Sequence, residues 1–129
     1  MSIHLAETNQ LVLEMKLNLL VIRTLNPERL KQQYEKLGFV FNYHQHGNAP
    51  FHFASEQDDF VFEIYPLTKS MDKADNSLRL GFEVDDLQSI LNAVEKSDWR
   101  IIQDAKESEW GITAIIQDLD GRKIDLKSK

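Results

Sequence analysis

Residues 78–94 read LRLGFEVDDLQSILNAV, a strand-like run followed directly by a helix-like run. Leu78 to Val84 is typical of a strand, with bulky apolar residues at alternate positions. Asp85 or Asp86 then offers a helix N-cap. The apolar residues that follow are spaced so that they share one helix face; they are Leu87, Ile90, Leu91 and Val94. This stretch predicts a β-strand joined to an amphipathic helix by a short turn.

The same order occurs about 60 residues earlier in the chain, which indicates an internal repeat. Residues 17–24 read LNLLVIRT and predict a buried strand. Asn26 is a suitable N-cap, and Pro27 suits the first position of a helix. The predicted helix has an apolar face and a closing glycine; these residues are Leu30, Tyr34, Leu37 and Gly38.

Three strand-like runs follow each predicted helix. In the first half they are Phe39 to His46, Phe51 to Ser55 and Phe60 to Tyr65, and in the second half they are Arg100 to Asp104, Gly111 to Gln117 and Lys123 to Leu126. The order therefore predicts an α+β fold with two tandem βαβββ modules in one domain. We place the modules at about 17–66 and 78–127, with a linker at 67–77 and an N-terminal extension at 1–14.

The composition excludes several classes of function. The chain has 129 residues and no cysteine, so disulfides, thiolate catalysis and cysteine-based metal sites are excluded. Its net charge of −6 disfavours nucleic-acid binding, because only short basic clusters such as Arg122-Lys123 are present. No apolar run approaches about 18 residues, and the N-terminus does not resemble a secretory signal. We expect a cytoplasmic protein that binds neither nucleic acid nor membrane.

Four phrases in the sequence carry a resemblance to a known superfamily. Residues 34–39 read YEKLGF, residues 80–87 read LGFEVDDL, residues 110–111 read WG, and residues 117–126 read QDLDGRKIDL. In this order they resemble the vicinal oxygen chelate superfamily, which includes glyoxalase I, bleomycin-resistance proteins and extradiol dioxygenases. Leu119 stands where that superfamily usually has proline, and Asp125 stands where it has glutamate. The resemblance covers residues 17–126, nearly the whole chain.

The resemblance implies that each module curls its sheet into a half-barrel, so that the curved mixed sheet surrounds a cleft. A second subunit often completes the cleft, and we therefore expect a homodimer. In metal-dependent members the ligands lie on the first and last strands of each module. Those four positions fall here on Leu19, Glu63, Arg79 and Asp125. A leucine binds no metal and a guanidinium is always cationic, so we expect no metal and no cofactor. A register shifted by one residue would place Asn18, a poor ligand, at the first position.

Strand alternation predicts which side chains face the cleft. If Leu20, Ile22 and their counterparts face the helices, then Leu19, Val21 and Arg23 face the cleft, and so does Arg79. The predicted ligand-binding residues are Arg79, Glu63, Asp125, Arg23 and Trp110, and Glu63 and Asp125 are the candidates for a catalytic base. Two roles for Arg79 remain open. It either binds an anionic ligand, or it pairs with one of the two carboxylates as a cleft-spanning strut whose removal would destabilise the fold.

Two further groups of residues have competing interpretations. His44 and His46 form a His-x-His pair with His52 across the next turn, a spacing that can bind zinc or nickel. The favoured interpretation is a solvated polar face on a sheet edge away from the cleft. Trp99 is expected in the core, whereas Trp110 either stacks on a ligand near the cleft mouth or packs as an ordinary surface aromatic.

The function expected from these observations is the binding of a small organic molecule, with anions among the candidate ligands, by a metal-free protein similar to glyoxalase and bleomycin-resistance proteins. The alternative is a metal-dependent lyase, dioxygenase or thiol transferase of the same superfamily. A metal-free enzyme that uses Glu63 or Asp125 as its base is a third hypothesis, so the sequence leaves open whether any reaction is catalysed.

Overall fold

A computed structural model describes residues 3–5 and 11–129, with side chains from residue 14 onward. The N-terminal part and the first module contain β1 (Ile3–Leu5), β2 (Leu11–Leu13), β3 (Leu19–Thr24), α1 (Pro27–Glu35), β4 (Asn42–His44), β5 (His52–Gln57) and β6 (Phe60–Pro66). The second module contains β7 (Leu80–Val84), α2 (Leu87–Glu95), β8 (Arg100–Ser108), β9 (Gly111–Gln117) and β10 (Lys123–Ser128).

Each module forms its own four-stranded sheet with the same topology. The strand orders are β3-β6-β5-β4 and β7-β10-β9-β8. In both sheets the first strand of the module pairs in parallel with the last, and the remaining neighbours are antiparallel. The predicted α+β fold with two tandem βαβββ modules is confirmed.

Both helices begin where the sequence places an N-cap. The Asn26 side chain accepts a hydrogen bond from the Arg29 amide at 3.1 Å. In the second helix, Asp86 and not Asp85 is the cap, because its carboxylate accepts from the Ser89 amide at 3.1 Å. The hydrogen bonds from Ser89 lower the pKa of Asp86. A side-chain oxygen at this position satisfies a helix N–H group that has no partner within the helix.

Two strand predictions differ from the structure by more than two residues at one end. The run from Phe39 to His46 contributes only Asn42–His44 to the sheet, because Phe39 and Phe41 pack instead into a cluster of aromatic rings with Phe62. The strand that starts at Arg100 continues to Ser108 rather than ending at Asp104. It has two register irregularities against β9, which bend a strand and break its simple alternation.

Aromatic packing joins the two modules. Trp99 follows the second helix and is 4% exposed, which confirms its predicted place in the core. Its indole N–H donates to the Gln33 carbonyl at 2.7 Å, and its ring lies edge-on to Tyr34 with centroids 5.1 Å apart. Edge-to-face contacts between aromatic rings stabilise the packing beyond the effect of apolar burial alone. The first helix is thereby held against the second module.

A buried ion pair lies at the same junction. Arg122 is 1% exposed, and its guanidinium contacts Asp118 at 3.1 Å and Asp120 at 2.8 Å. It also donates to the backbone carbonyl of Arg23 in the first module at 2.6 Å. Tyr34 donates to Asp118 at 2.8 Å. Arg122 is therefore a structural group between the modules, although the sequence presented it only as part of a basic cluster.

The N-terminal extension contains secondary structure that the sequence did not predict. β1 and β2 pair as an antiparallel ribbon, with Ile3 opposite Leu13. Within the described part of the chain, no helix is long and apolar enough to cross a membrane.

Candidate functional site

Each sheet has one face covered by the helix of its module and one face that is not, which we call the open face. In β3, Ile22 and Thr24 are buried, whereas Leu19 is 50% and Val21 is 38% exposed. This alternation agrees with the predicted register, in which Leu19, Val21 and Arg23 share the face opposite the helix. The open faces are therefore the surfaces on which the candidate site residues lie.

Glu63 lies at the centre of the first open face. It is opposite Val21 on β3 and Ala54 on β5. Its Oε2 lies 3.1 Å from Nε2 of His52, and the two side chains are only 17% and 5% exposed. Both line a cavity of about 500 Å³ that also includes Leu19, Ala54, His44 and His46. The environment of Glu63 is therefore a histidine cluster and not an arginine.

The histidine cluster corrects one prediction. β4 is an edge strand, as expected. However, His44 is the cross-strand partner of His52, so its side chain lies on the open face beside the cavity. His52 is buried, and its ring stacks on Tyr65 with centroids 4.3 Å apart. The histidines are thus neither away from the candidate cleft nor on a fully solvated face.

Asp125 occupies the equivalent central position on the second open face. It is opposite Gly81 on β7 and Ile115 on β9. It borders a cavity of about 490 Å³ whose lining mixes apolar, hydrogen-bonding and charged side chains, among them Gln103, Lys106, Trp110, Thr113, Ile115 and Lys127. Trp110 is 69% exposed. A pocket with an apolar lining and a few convergent polar groups is the usual form of a small-molecule site.

Arg79 forms a bidentate pair with Asp125, with both hydrogen bonds 2.8 Å long. These hydrogen bonds and the charge of Asp125 raise the pKa of Arg79. The side chains are 52% and 44% exposed. Of the two carboxylates proposed as partners, Arg79 therefore contacts Asp125 and not Glu63. The predicted pairing with a carboxylate is therefore present. However, the pair lies within one sheet and is about half exposed, so the interpretation as a cleft-spanning strut is wrong.

Arg23 lies apart from both of these cavities. Its guanidinium donates to the Pro66 carbonyl at 3.0 Å and lies 4.8 Å from the centre of the Tyr65 ring. It lines a smaller cavity of about 300 Å³ with Met71, Asp75, Leu78 and Arg122. The predicted site residues are thus divided. Asp125, Arg79 and Trp110 belong to the second module, whereas Glu63 and Arg23 belong to the first.

Two lysines on the second open face were not predicted as site residues. Lys106 and Lys127 line the cavity beside Asp125. In the part of the chain that the structure describes, neither lysine has an ion-pair partner. Lys127 could have been predicted, because it follows Asp125 by two positions on the same strand and therefore lies on the same face. Lys106 could not, because β8 shifts register between Gln103 and Lys106.

The ligand positions that the resemblance implies do not fit a metal ion. Leu19 offers no donor atom. Arg79 is cationic, and it occupies both carboxylate oxygens of Asp125. Glu63 and Asp125 moreover border different cavities. These four residues do not form one coordination sphere.

No family profile and no curated protein matches this chain. Solved structures do match. An antibiotic binding protein, TnmS3 from Streptomyces sp. CB03234, is 21% identical with a TM-score of 0.72, and the alignment covers 91% of this chain and 98% of that one. A glyoxalase/bleomycin resistance protein from the same source is 22% identical with a TM-score of 0.68, covering 87% of this chain and 99% of that one.

A third similar structure is a glyoxalase-related enzyme from Fulvimarina pelagi. It is 12% identical with a TM-score of 0.69, and the alignment covers 90% of this chain and 89% of that one. This chain has the vicinal oxygen chelate fold. The likeness is one of fold, because these identities reach only 22%. Because one fold can host many functions, the function of this chain depends on the side chains of its two open faces.

Proposed function

We propose that this chain binds a small organic molecule on the open face of its second module, without a metal at the positions usual for the fold. The observation that carries the proposal is the cavity of about 490 Å³ beside Asp125, with Trp110 largely exposed at its edge. Its volume is in the range of sites that bind drug-sized ligands. An exposed indole next to such a cavity is available to stack on a planar group.

The polar groups of this cavity favour an anionic ligand. Lys106 and Lys127 line it without ion-pair partners among the described residues. Glu83 is the other carboxylate of the lining besides Asp125, so the two lysines outnumber the carboxylate that Arg79 does not neutralise. Arg79 already donates two hydrogen bonds to Asp125, so its role is to hold and neutralise that carboxylate rather than to be the first contact of an anion. Gln103 and Thr113 add hydrogen-bonding groups, and Ile115 adds apolar surface. Glu63 and Arg23 are not part of this proposed site.

The structural comparisons support binding as the function. One similar structure is an antibiotic binding protein, and another is a glyoxalase/bleomycin resistance protein. The glyoxalase-related enzyme favours catalysis instead. A metal-dependent lyase, dioxygenase or thiol transferase would need ligands where this chain has Leu19 and Arg79. A metal-free enzyme at this site would need a free base, whereas both oxygens of Asp125 accept from Arg79 and Glu63 borders a different cavity.

The proposal is tested by titrating the protein with 8-anilinonaphthalene-1-sulfonate, an apolar anion that becomes fluorescent on binding. We expect saturable binding that Trp110→Ala weakens by about tenfold, which corresponds to about 1.4 kcal/mol. Tyr43→Ala is the matched control, because Tyr43 is also an exposed aromatic but lies on the first module. Equal affinities for Trp110→Ala and the wild type would contradict the proposed site.

We further propose that the chain is a homodimer located in the cytoplasm. Three apolar side chains before and on the edge strand β3 are exposed: Leu17 by 72%, Leu19 by 50% and Val21 by 38%. Exposed apolar strips and unpaired strand edges are common contact surfaces between subunits. Light scattering at micromolar concentration is expected to give twice the chain mass, and a monomer would contradict the proposal.

A further inference from the structure

Three of the four histidines of this chain meet at one end of the first open face. His44 and His52 are cross-strand partners on β4 and β5, and His46 follows two residues after His44. One ring nitrogen from each histidine lies within 4.8 Å of the corresponding nitrogens of the other two. The ring centroids are 5.5 to 5.8 Å apart.

His52 is held in place from two sides. Its side chain is 5% exposed, its Nε2 lies 3.1 Å from Oε2 of Glu63, and its ring stacks on Tyr65 at an interplanar angle of 6°. Its other nitrogen, Nδ1, is buried and has no hydrogen-bond partner in the described structure. A buried polar atom without a partner is costly unless something satisfies it.

A metal ion is the partner that this arrangement favours. When the Nε2–H group of a neutral histidine donates to a carboxylate, Nδ1 carries the free lone pair. A metal-binding histidine usually has this pattern, because a carboxylate on the second nitrogen orients the ring and strengthens the ligand. Glu63 is placed to be that carboxylate. Neutral imidazoles are common ligands of zinc, nickel and cobalt.

The remaining distances can be closed by side-chain rotation. Zinc–nitrogen bonds of about 2.0–2.1 Å in a tetrahedral site place the nitrogens about 3.3 Å apart. The present separations of up to 4.8 Å are longer. His44 is only half-buried and His46 is exposed, so both rings have room to turn toward the fixed ring of His52.

We propose that His44, His46 and His52 form a binding site for a divalent transition metal, with Glu63 as the positioning residue of His52. The site lies on β4 and β5, whereas the resemblance places metal ligands on the first and last strands of each module. Three protein ligands leave a fourth coordination position free, as in zinc sites that react with a bound molecule. All three histidines line the cavity of about 500 Å³, which has room for such a molecule.

The test uses the full chain, stripped of metal with a chelator and titrated with Co²⁺, whose visible absorption reports its coordination. We expect one Co²⁺ per chain, displaced by Zn²⁺. Glu63→Gln should weaken Co²⁺ binding by about 10–100-fold, because it changes a residue that contacts a ligand and not the metal itself. His44→Gln and His46→Gln each remove a ligand, so they should weaken Co²⁺ binding by more than that. Neither histidine is buried, so these variants should retain the wild-type circular dichroism spectrum.

His4→Gln is the matched control, because it removes the remaining histidine of the sequence, which the proposal does not count among the ligands. It should bind Co²⁺ as the wild type does. The proposal is overturned if Co²⁺ does not bind at micromolar concentration, or if it binds His44→Gln and His46→Gln as tightly as the wild type. Loss of binding in His4→Gln alone would also overturn it.

Discussion

Two arginine–aspartate pairs of the second module lie in opposite environments. Arg122 and Asp118 lie at the junction of the modules, where their side chains are 1% and 0% exposed. Arg79 and Asp125 lie on the open face, where theirs are 52% and 44% exposed. Both pairs have good hydrogen-bond geometry, so burial is the property that distinguishes them.

This difference assigns the two pairs to different tasks. A buried charge must be paired, because an isolated one costs several kcal/mol of solvation free energy. Arg122 is accordingly surrounded by Asp118, Asp120 and the Arg23 carbonyl. Burial lowers its pKa, but the nearby aspartates outweigh this effect and keep it raised. The Arg79 pair is exposed to solvent, so the stability of the fold does not require it and it can contribute to a ligand site.

The largest expected effect is that of Arg122→Met. It leaves Asp118 buried without its cation, and breaking a buried pair typically costs about 3–5 kcal/mol of unfolding free energy. Urea denaturation measures this loss. Arg29→Met is the control, because Arg29 pairs with Asp98 at an exposed site. Adding Asp118→Asn to Arg122→Met should recover part of the stability. A near-neutral Arg122→Met would contradict the structural role of this pair.

An intermediate and pH-dependent effect is expected for Tyr34→Phe. The variant loses the hydrogen bond from Tyr34 to Asp118, which is worth about 1.5–3 kcal/mol when the acceptor is charged. Burial, followed by the charge of Asp118, raises the pKa of Tyr34 above its ordinary value. The unfolded chain therefore loses the Tyr34 proton first as the pH rises above about 10.

It follows that the contribution of Tyr34 to stability is complete below about pH 10 and decreases as the pH rises above it. The difference in unfolding free energy between the wild type and Tyr34→Phe should therefore narrow at high pH. Chemical denaturation at a series of pH values measures it. A difference that stays constant or widens above that pH would show that the hydroxyl is not buried beside Asp118.

The smallest effect on stability is expected for Arg79→Met. Its partner Asp125 remains 44% exposed and solvated, so the urea midpoint should match that of the wild type within error. The effect should appear in binding instead. An unpaired Asp125 repels an anion, and 8-anilinonaphthalene-1-sulfonate should bind about two- to fivefold more weakly. A clear loss of stability would mean that this pair resembles the Arg122 pair after all.

The sequence predicted the fold because its local signals agree. The repeated order of strand, N-cap and amphipathic helix places Asn26 and Asp86 at the starts of the two helices. Alternation along β3 also placed Leu19, Val21 and Arg23 on the correct face. These properties depend on neighbours in the chain and on backbone geometry, and a sequence displays both directly.

The sites were harder to predict because they depend on contacts between distant residues. Alternation shows which way Arg79 points, but it does not show how much solvent reaches it. The sequence shows Arg122 only as part of a basic cluster. It is the packing of the first module over the Asp118 turn that buries its side chain. His52 and Glu63 are separated by a turn in the sequence, and only the β5–β6 register brings them together. The position of Lys106 on the open face could not be predicted, because the register irregularities of β8 break the alternation of its side chains.

Binding of the ligand on the second open face can be located by a nuclear magnetic resonance titration of the ¹⁵N-labelled protein with 8-anilinonaphthalene-1-sulfonate. The two tryptophans give two indole N–H signals, and Trp99→Phe assigns them. We expect the Trp110 signal and the amides of Thr113 and Ile115 to shift together and saturate. The buried Trp99 signal and the amides of Ala54 and Glu63 should stay in place. Shifts concentrated on Ala54 and Glu63, with Trp110 unchanged, would contradict binding on the second open face.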